Sequence, residues 1–103
     1  MISAQFFEKN GAPAGFSCSG HAGFAESGYD IVCASVSSAV QLTLNLLLDF
    51  KNDPDIDIDT DIISCRLDKS SQASERIINA FRLHLESIAE EFPGTIEITV
   101  SEV

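Results

Sequence analysis

The sequence GHAGFAESGYDIVC, residues 20–33, joins a short strand-like segment to a long apolar one. Just before it, Phe16 and Cys18 are separated by one serine, as expected for two side chains on one face of a strand. A strand is therefore predicted to end directly before His21. Two glycines and mixed polarity in residues 23–29 indicate a loop. This stretch is the point where the chain passes from sheet to helix.

A long helix is predicted to follow the loop. Asp30 can accept a backbone N–H bond as the N-cap, which would place Cys33 at the third helical position. Apolar side chains occur on most sides of residues 31–50, so this is predicted to be the central helix, covered on more than one side. Polar residues interrupt the same segment repeatedly, which favours a buried helix over a membrane span.

The remaining sequence alternates or carries an apolar stripe. Asn10-Gly11 is typical of a tight hairpin turn after the first strand. The predicted strands are residues 2–9, 14–20, 55–62 with a continuation to 67, and 95–101, and a second helix is predicted from about 71 to 92. We therefore predict an α+β fold, a small single domain over residues 1–103. Its element order is β-β-α-β-α-β, with a mixed or antiparallel sheet packed with two helices.

Charge and cysteine content restrict the partners. Sixteen acidic residues against six lysines and arginines give a formal charge of −10, which opposes nucleic-acid binding and favours a basic partner. Residues 1–9 lack the basic and apolar regions of a secretory signal, so no export is predicted. Three cysteines without disulfide-framework spacing fit a reducing cytoplasm. We expect a cytoplasmic protein that binds neither nucleic acid nor a membrane, and self-association is reasonable for a domain of this size.

Cys33 and His21 form a candidate catalytic pair. A helix N-terminus stabilises a thiolate, and a nearby histidine can pair with it and protonate a leaving amine. Backbone amides near the helix start, including that of Cys33, are candidate donors to an oxyanion. Asp30 is either only the helix cap or also the residue that orients His21. A buried structural cysteine beside an unrelated histidine explains the same residues, so both interpretations stay open.

The loop between the pair contains four further candidates. Gly23 and Gly28 could be hinges, although turn geometry alone also explains loop glycines. Phe24 and Tyr29 are the aromatic residues considered for substrate contact.

No metal or cofactor is predicted. Part of the calcium-loop pattern is matched by Asp57, Asp59, Asp61 and Asp68. However, Ile62 replaces the required glycine and the twelfth position is not glutamate. Only one close cysteine–histidine pair exists, whereas structural zinc normally uses two.

The chain also carries three short motifs: GHA at residues 20–22, GYDIVCA at 28–34 and VS at 36–37. Together they resemble the signature of the bacterial ribosomal-processing cysteine protease family known as Prp. The resemblance implies an endopeptidase that removes an N-terminal extension from a basic large-subunit ribosomal protein, the twenty-seventh, during ribosome biogenesis. It also implies a His21–Cys33 dyad, a recurrent aspartate at Asp30, a homodimer, and a moving loop over the substrate groove. Ser35 departs from the family, which commonly has alanine there.

Other functions remain as alternatives. A non-enzymatic ribosome-assembly or interaction protein would bind a basic partner, with Cys33 as a buried helix residue. A thiol redox module is disfavoured because the chain has no Cys-x-x-Cys pair.

Overall fold

A computed structural model describes the backbone of residues 1–20 and 27–103 and the side chains of residues 1–20 and 31–103. In chain order the elements are β1 (Ile2–Lys9), β2 (Ala12–Ser19), α1 (Ser27–Asp49), β3 (Asp55–Ile58), β4 (Ile62–Arg66), α2 (Gln72–Glu91) and β5 (Ile96–Glu102). The α+β prediction is confirmed. The predicted six-element order is one strand short.

The missing strand arises because the aspartate-isoleucine segment folds back on itself. β3 and β4 pair in antiparallel fashion, with Ile58 opposite Ile63. The Asp59 N–H donates to the Ile62 carbonyl at 2.8 Å, and the Thr60 N–H donates to Asp59 Oδ1 at 2.8 Å. Aspartate favours turns because its carboxylate accepts nearby backbone N–H groups. The period of two continues in both arms, so alternation alone predicted one strand.

The five strands form one mixed sheet in the order β3-β4-β2-β1-β5. β1 and β5 are parallel, and the other neighbours are antiparallel. The turn between β1 and β2 has φ of 55° at Asn10 and 78° at Gly11, a conformation that asparagine and glycine tolerate best. The predicted hairpin turn is therefore confirmed.

Both helices pack against one face of this sheet. Ile2, Ala4 and Phe6 alternate along β1 and are buried in the same cluster as side chains from α1 and α2. Phe6 pairs with Phe16 of β2, and the Phe16 ring lies 4.8 Å from the ring of Phe81 on α2. The core is thus a layer between sheet and helices, and it fixes β2 relative to both helices.

Among the described residues, the buried side chains of α1 lie along one side of the helix, contrary to the prediction of cover on several sides. Its buried line includes Val32, Val36 and Leu47, whereas Leu42 and Leu48 remain 61% and 53% exposed. The sequence could not distinguish the buried from the exposed apolar side chains of α1. A helix covered by a second molecule or by a second layer of the same chain would carry apolar residues at the same positions.

Length and composition alone would also allow the segment Ile31–Asp49 to cross a membrane. Core helices pass the same test, and this one contributes five of its apolar side chains to the core: Val32, Val36, Val40, Leu44 and Leu47.

Candidate active site

Cys33 lines a cleft of about 270 Å³ between α1, the end of β2 and the β3–β4 turn. Its walls combine small polar groups, aliphatic side chains and two carboxylates. The lining residues are Ile2, Cys18, Ser19, Gly20, Cys33, Val36, Ser37, Val40, Gln41, Asp59, Thr60, Asp61, Ile62 and Ile63.

One face of α1 supplies the helical wall. Ser37 and Gln41 follow Cys33 at intervals of four residues, so the three side chains lie along one line of the helix. Ser37 and Gln41 are exposed, and the hydroxyl of one and the amide of the other can form hydrogen bonds with a peptide backbone. The sequence interpretation missed them as site residues, although the four-residue spacing from Cys33 is a signal that could have found both.

The opposite wall is fixed by a backbone junction at Gly20. The Gly20 N–H donates to the Asp61 carbonyl at 3.3 Å, which joins the end of β2 to the β3–β4 turn. Gly20 has φ of +83°, and a Cβ there would lie 2.6 Å from the Met1 carbonyl oxygen. Glycine is therefore required where the chain leaves the sheet beside the cleft.

Three predicted site residues, His21, Gly23 and Phe24, lie outside the described residues. Among the described residues, Cys33 and Gly20 line the same cleft, and Gly20 directly precedes His21 in the sequence.

The start of α1 corrects the predicted helix boundary. α1 begins at Ser27, so Asp30 is its fourth residue and not its N-cap, and Cys33 is its seventh. Gly28 and Tyr29 are helical and do not belong to a loop. Glycine disfavours a helix by about 1 kcal/mol but does not forbid it. The preference for a cap at Asp30 was therefore outweighed by extension of the helix.

This boundary also changes the electrostatics of Cys33. In an α-helix the N–H of the seventh residue bonds to the carbonyl four residues earlier. The Cys33 amide is therefore already bonded within the helix, and the sequence-based prediction that it donates to an oxyanion is wrong. The favourable field of the helix N-terminus falls off beyond the first turn. A thiolate at Cys33 would therefore need stabilisation from another group.

The three cysteines, all of which the structure describes, differ in their surroundings. Cys18 and Cys65 are buried, whereas Cys33 is partly exposed. Burial raises the pKa of the Cys18 thiol to about 12. Burial, with a smaller contribution from the charge of Asp55, raises the pKa of the Cys65 thiol to about 11. Since the thiolate is the nucleophile and burial disfavours it at Cys18 and Cys65, the partly exposed Cys33 is the cysteine placed for reaction.

Native protein treated with iodoacetamide near neutral pH is expected to be alkylated at Cys33, with Cys18 and Cys65 reacting only after unfolding in guanidinium. Peptide mass mapping of both samples checks this, and equal labelling of all three thiols in the native protein would contradict it.

The same pKa shifts predict a loss of stability in alkali. The folded-state pKa values of Cys18 and Cys65 lie above their ordinary value of 9.0, so the protonated thiols contribute their full stability below that pH. This contribution is lost as the pH rises toward 11 and 12. Urea unfolding midpoints measured at increasing alkaline pH are expected to fall more steeply in the wild type than in Cys18→Ala.

A larger groove, of about 730 Å³, lies between α1 and α2. It contains Leu42, Phe81 and His84 but not Cys33, and its lining is mostly apolar. No thiol lines it, so we assign the candidate chemistry to the smaller cleft. His84 lies at this groove, on the margin of the apolar stripe of α2.

Among the described residues, no three or more histidine, cysteine, aspartate or glutamate side chains are grouped to hold a metal ion. The aspartates that imitate a calcium loop lie on the β3–β4 hairpin and just after it.

The family model described as "Cysteine protease Prp" matches residues 1–97 of the chain. A search of curated proteins returned no match. The fold is similar to the crystal structure of SMU.848 from Streptococcus mutans, with 26% identity, a TM-score of 0.81 and coverage of 100% of this chain and 96% of that one.

Two solved structures of the essential ribosomal processing protease Prp from S. aureus are also similar. One holds a covalently linked product peptide and has 25% identity, a TM-score of 0.87 and coverage of 98% of this chain and 100% of that one. The other holds a substrate peptide and has 24% identity, a TM-score of 0.83 and the same coverage.

Proposed function

This chain belongs to the cysteine protease Prp family, and on that premise we propose that Cys33 and His21 form the catalytic dyad of an endopeptidase. The proposed substrate is the precursor of a basic large-subunit ribosomal protein, the twenty-seventh. The enzyme would remove its N-terminal extension in the cytoplasm during ribosome biogenesis. The observation that carries the proposal is the partly exposed Cys33 thiol in a cleft that also contains Gly20.

The proposed reaction begins when the Cys33 thiolate attacks the carbonyl carbon of the scissile peptide bond. The C–S bond forms, the C–N bond breaks, and the His21 imidazolium gives its proton to the leaving amine. Water then attacks the thioester with His21 as the base, which releases the acid product and returns the thiol. The S. aureus relative that holds a covalently linked product peptide supports this covalent route.

The proposed role of His21 is to supply positive charge to a Cys33 thiolate, and the position of Cys33 in α1 increases the need for it. Because Cys33 is the seventh residue of α1, the helix N-terminus contributes little to a thiolate there. An imidazolium paired with the thiolate would supply the missing positive charge. The reducing cytoplasm would keep the thiol available, and none of the three cysteines forms a disulfide.

Asp30 is proposed to orient His21. The helix start at Ser27 removes the capping role that competed with this one, and Asp30 lies one helical turn before Cys33. Phe24 and Tyr29 remain proposed substrate contacts, and Gly23 remains a proposed hinge. Gly28 is a weaker hinge candidate because its backbone is helical.

The proposal is tested by incubating the precursor ribosomal protein with the enzyme and recording the intact mass of the product. Wild type is expected to release one N-terminal peptide, whereas His21→Ala is expected to leave the precursor intact. Co-elution of enzyme and precursor without any change in mass would overturn the protease proposal. That outcome would favour the non-enzymatic assembly protein.

We also propose that the protein is a homodimer through the groove between α1 and α2. Leu42 lines this groove and is 61% exposed, and the surrounding lining is mostly apolar. A large exposed apolar patch usually marks an interaction surface. A second copy of α1 would cover the exposed apolar side chains of this helix.

Leu42→Glu is expected to convert the dimer to a monomer because a carboxylate would be buried in the interface. Light scattering coupled to size-exclusion chromatography measures the mass directly. Ile58→Glu is the matched control, since Ile58 is 71% exposed but lies on β3 away from the groove. Equal masses for all three proteins would contradict the proposed interface.

A further inference from the structure

Asn10 precedes Gly11 in the turn between β1 and β2, and this pair of residues is chemically labile. The backbone nitrogen that follows an asparagine can attack the side-chain amide carbon and close a five-membered imide ring. A glycine at the second position has no Cβ to obstruct this attack. Asn10 and Gly11 are both exposed, and a Cβ at Gly11 would meet no atom within 4 Å. The turn therefore offers room for the ring to close.

The other three asparagines of the chain lie in less reactive positions. Asn45 and Asn79 lie inside α1 and α2, where the next backbone N–H bonds to the carbonyl four residues earlier. Asn52 precedes an aspartate and not a glycine, and its Nδ2 donates to Ser71 Oγ at 2.7 Å. Asn10 is thus the asparagine at which the structure leaves ring closure open.

A carboxylate from the far end of the chain lies beside the attacking nitrogen. The Gly11 N–H donates to Glu102 Oε1 at 3.4 Å, and the Val103 N–H donates to the Glu8 carbonyl at 2.8 Å. These two bonds join the end of β5 to the β1–β2 hairpin. The Gly11 nitrogen becomes nucleophilic as its proton leaves, and a negative charge beside it opposes that loss. Glu102 is therefore placed to slow the ring closure.

We propose that Asn10 is the deamidation site of this protein and that Glu102 limits the rate of the reaction. The Gly11 nitrogen bonds to Cγ of Asn10, the Cγ–Nδ2 bond breaks, and ammonia leaves with the proton from the Gly11 nitrogen. Water then opens the imide at one of its two carbonyls. The products are aspartate, with the backbone path unchanged, or isoaspartate, in which the backbone runs through the former side chain.

Either product would weaken the attachment of β5. Lys9 pairs with Ala12, so residues 10 and 11 alone form the turn, and isoaspartate would add a methylene to its backbone. Aspartate would place a second carboxylate near Glu102, and the two would repel each other. The Cys33 cleft lies at the other end of β2, an eight-residue strand of roughly 26 Å. The expected effect is on stability, so the inference does not depend on the proposed function.

The test incubates the purified protein at mildly alkaline pH with a thiol reductant and records its intact mass over time. Deamidation replaces an NH group with oxygen, so the mass rises by that difference, and peptide mapping locates the change. Wild type is expected to be modified at Asn10, and Glu102→Gln about three- to fivefold faster, the size of an exposed charge interaction. Glutamine keeps an acceptor oxygen for the Gly11 N–H and removes only the charge.

Glu97→Gln is the matched control. It removes one carboxylate from an exposed position at the other end of β5, where Glu97 pairs with Ser3, and it should react at the wild-type rate. Equal rates in all three proteins would overturn the role of Glu102. Modification at another asparagine, or a constant mass while a synthetic peptide of residues 6–14 deamidates, would overturn the site at Asn10.

A second measurement tests the effect on stability. The urea unfolding midpoint of wild type should fall during the incubation, in proportion to the modified fraction. Asn10→Gly keeps a turn that tolerates positive φ but has no side-chain amide to lose, so its midpoint should stay constant. An equal fall in both proteins would assign the loss of stability to another process and contradict the effect on β5.

Discussion

Cys33→Ala is expected to abolish precursor processing while the protein remains folded. The thiol sulfur would be the atom that bonds to the substrate, and alanine has no nucleophile to replace it. Removing the nucleophile of a catalytic pair typically lowers kcat by at least about a thousandfold. We therefore expect no detectable peptide release in an intact-mass time course in which wild type completes the reaction.

The structure explains why this variant should keep its fold. Cys33 is partly exposed on α1, and alanine is the residue that favours a helix most. Asn45→Ala is a suitable control, because Asn45 is an exposed residue of the same helix that lines neither the Cys33 cleft nor the larger groove. Circular dichroism should be equal for all three proteins. Processing by Cys33→Ala at the wild-type rate would assign the nucleophile elsewhere.

A double variant tests whether Cys33 and His21 act as one unit. If the histidine serves only the thiolate, then His21→Ala in a Cys33→Ala background should cause no further loss. Additive losses would indicate that His21 has a separate role in binding the substrate.

Local signals predicted the parts of the site that depend on neighbouring residues. The strand that ends before His21, the turn at Asn10-Gly11 and the helix containing Cys33 all follow from short-range patterns. The first residue of α1 did not, because an N-cap at Asp30 is worth only about 1 kcal/mol and the helix extends past it to Ser27.

The acidic wall of the cleft could not be predicted from local pattern at all. Asp61 reaches the cleft because β4 pairs with β2 and brings Ile62 opposite Ser19. The alternating pattern of residues 55–67 is equally consistent with one long strand, which would carry Asp61 away from Gly20. The turn at Asp59–Asp61, which depends on pairing between distant segments, decides which carboxylates line the cleft that contains Cys33.

Phe16→Ala is expected to produce the largest loss of stability among single substitutions in the core. Phe16 is fully buried, and its ring lies 4.8 Å from that of Phe81 and 6.3 Å from that of Phe6. Removing a buried phenylalanine costs about 3–5 kcal/mol because the neighbours cannot fill the cavity. A domain is stable by only about 5–15 kcal/mol, so much of the protein could be unfolded at 37 °C. Urea unfolding at one fixed protein concentration measures the loss.

A graded series separates lost packing from any special role of the aromatic ring. Phe16→Leu should cost less than Phe16→Ala, since leucine refills part of the volume, and Phe50→Ala should change the free energy of unfolding by less than about 0.5 kcal/mol. Phe50 is 57% exposed at the end of α1, so it controls for loss of a phenylalanine as such. Equal losses from Phe16→Ala and Phe50→Ala would contradict the position of the core. The expected order also bears on the cleft, because Phe16 holds β2 against α2 and the same strand ends at Gly20.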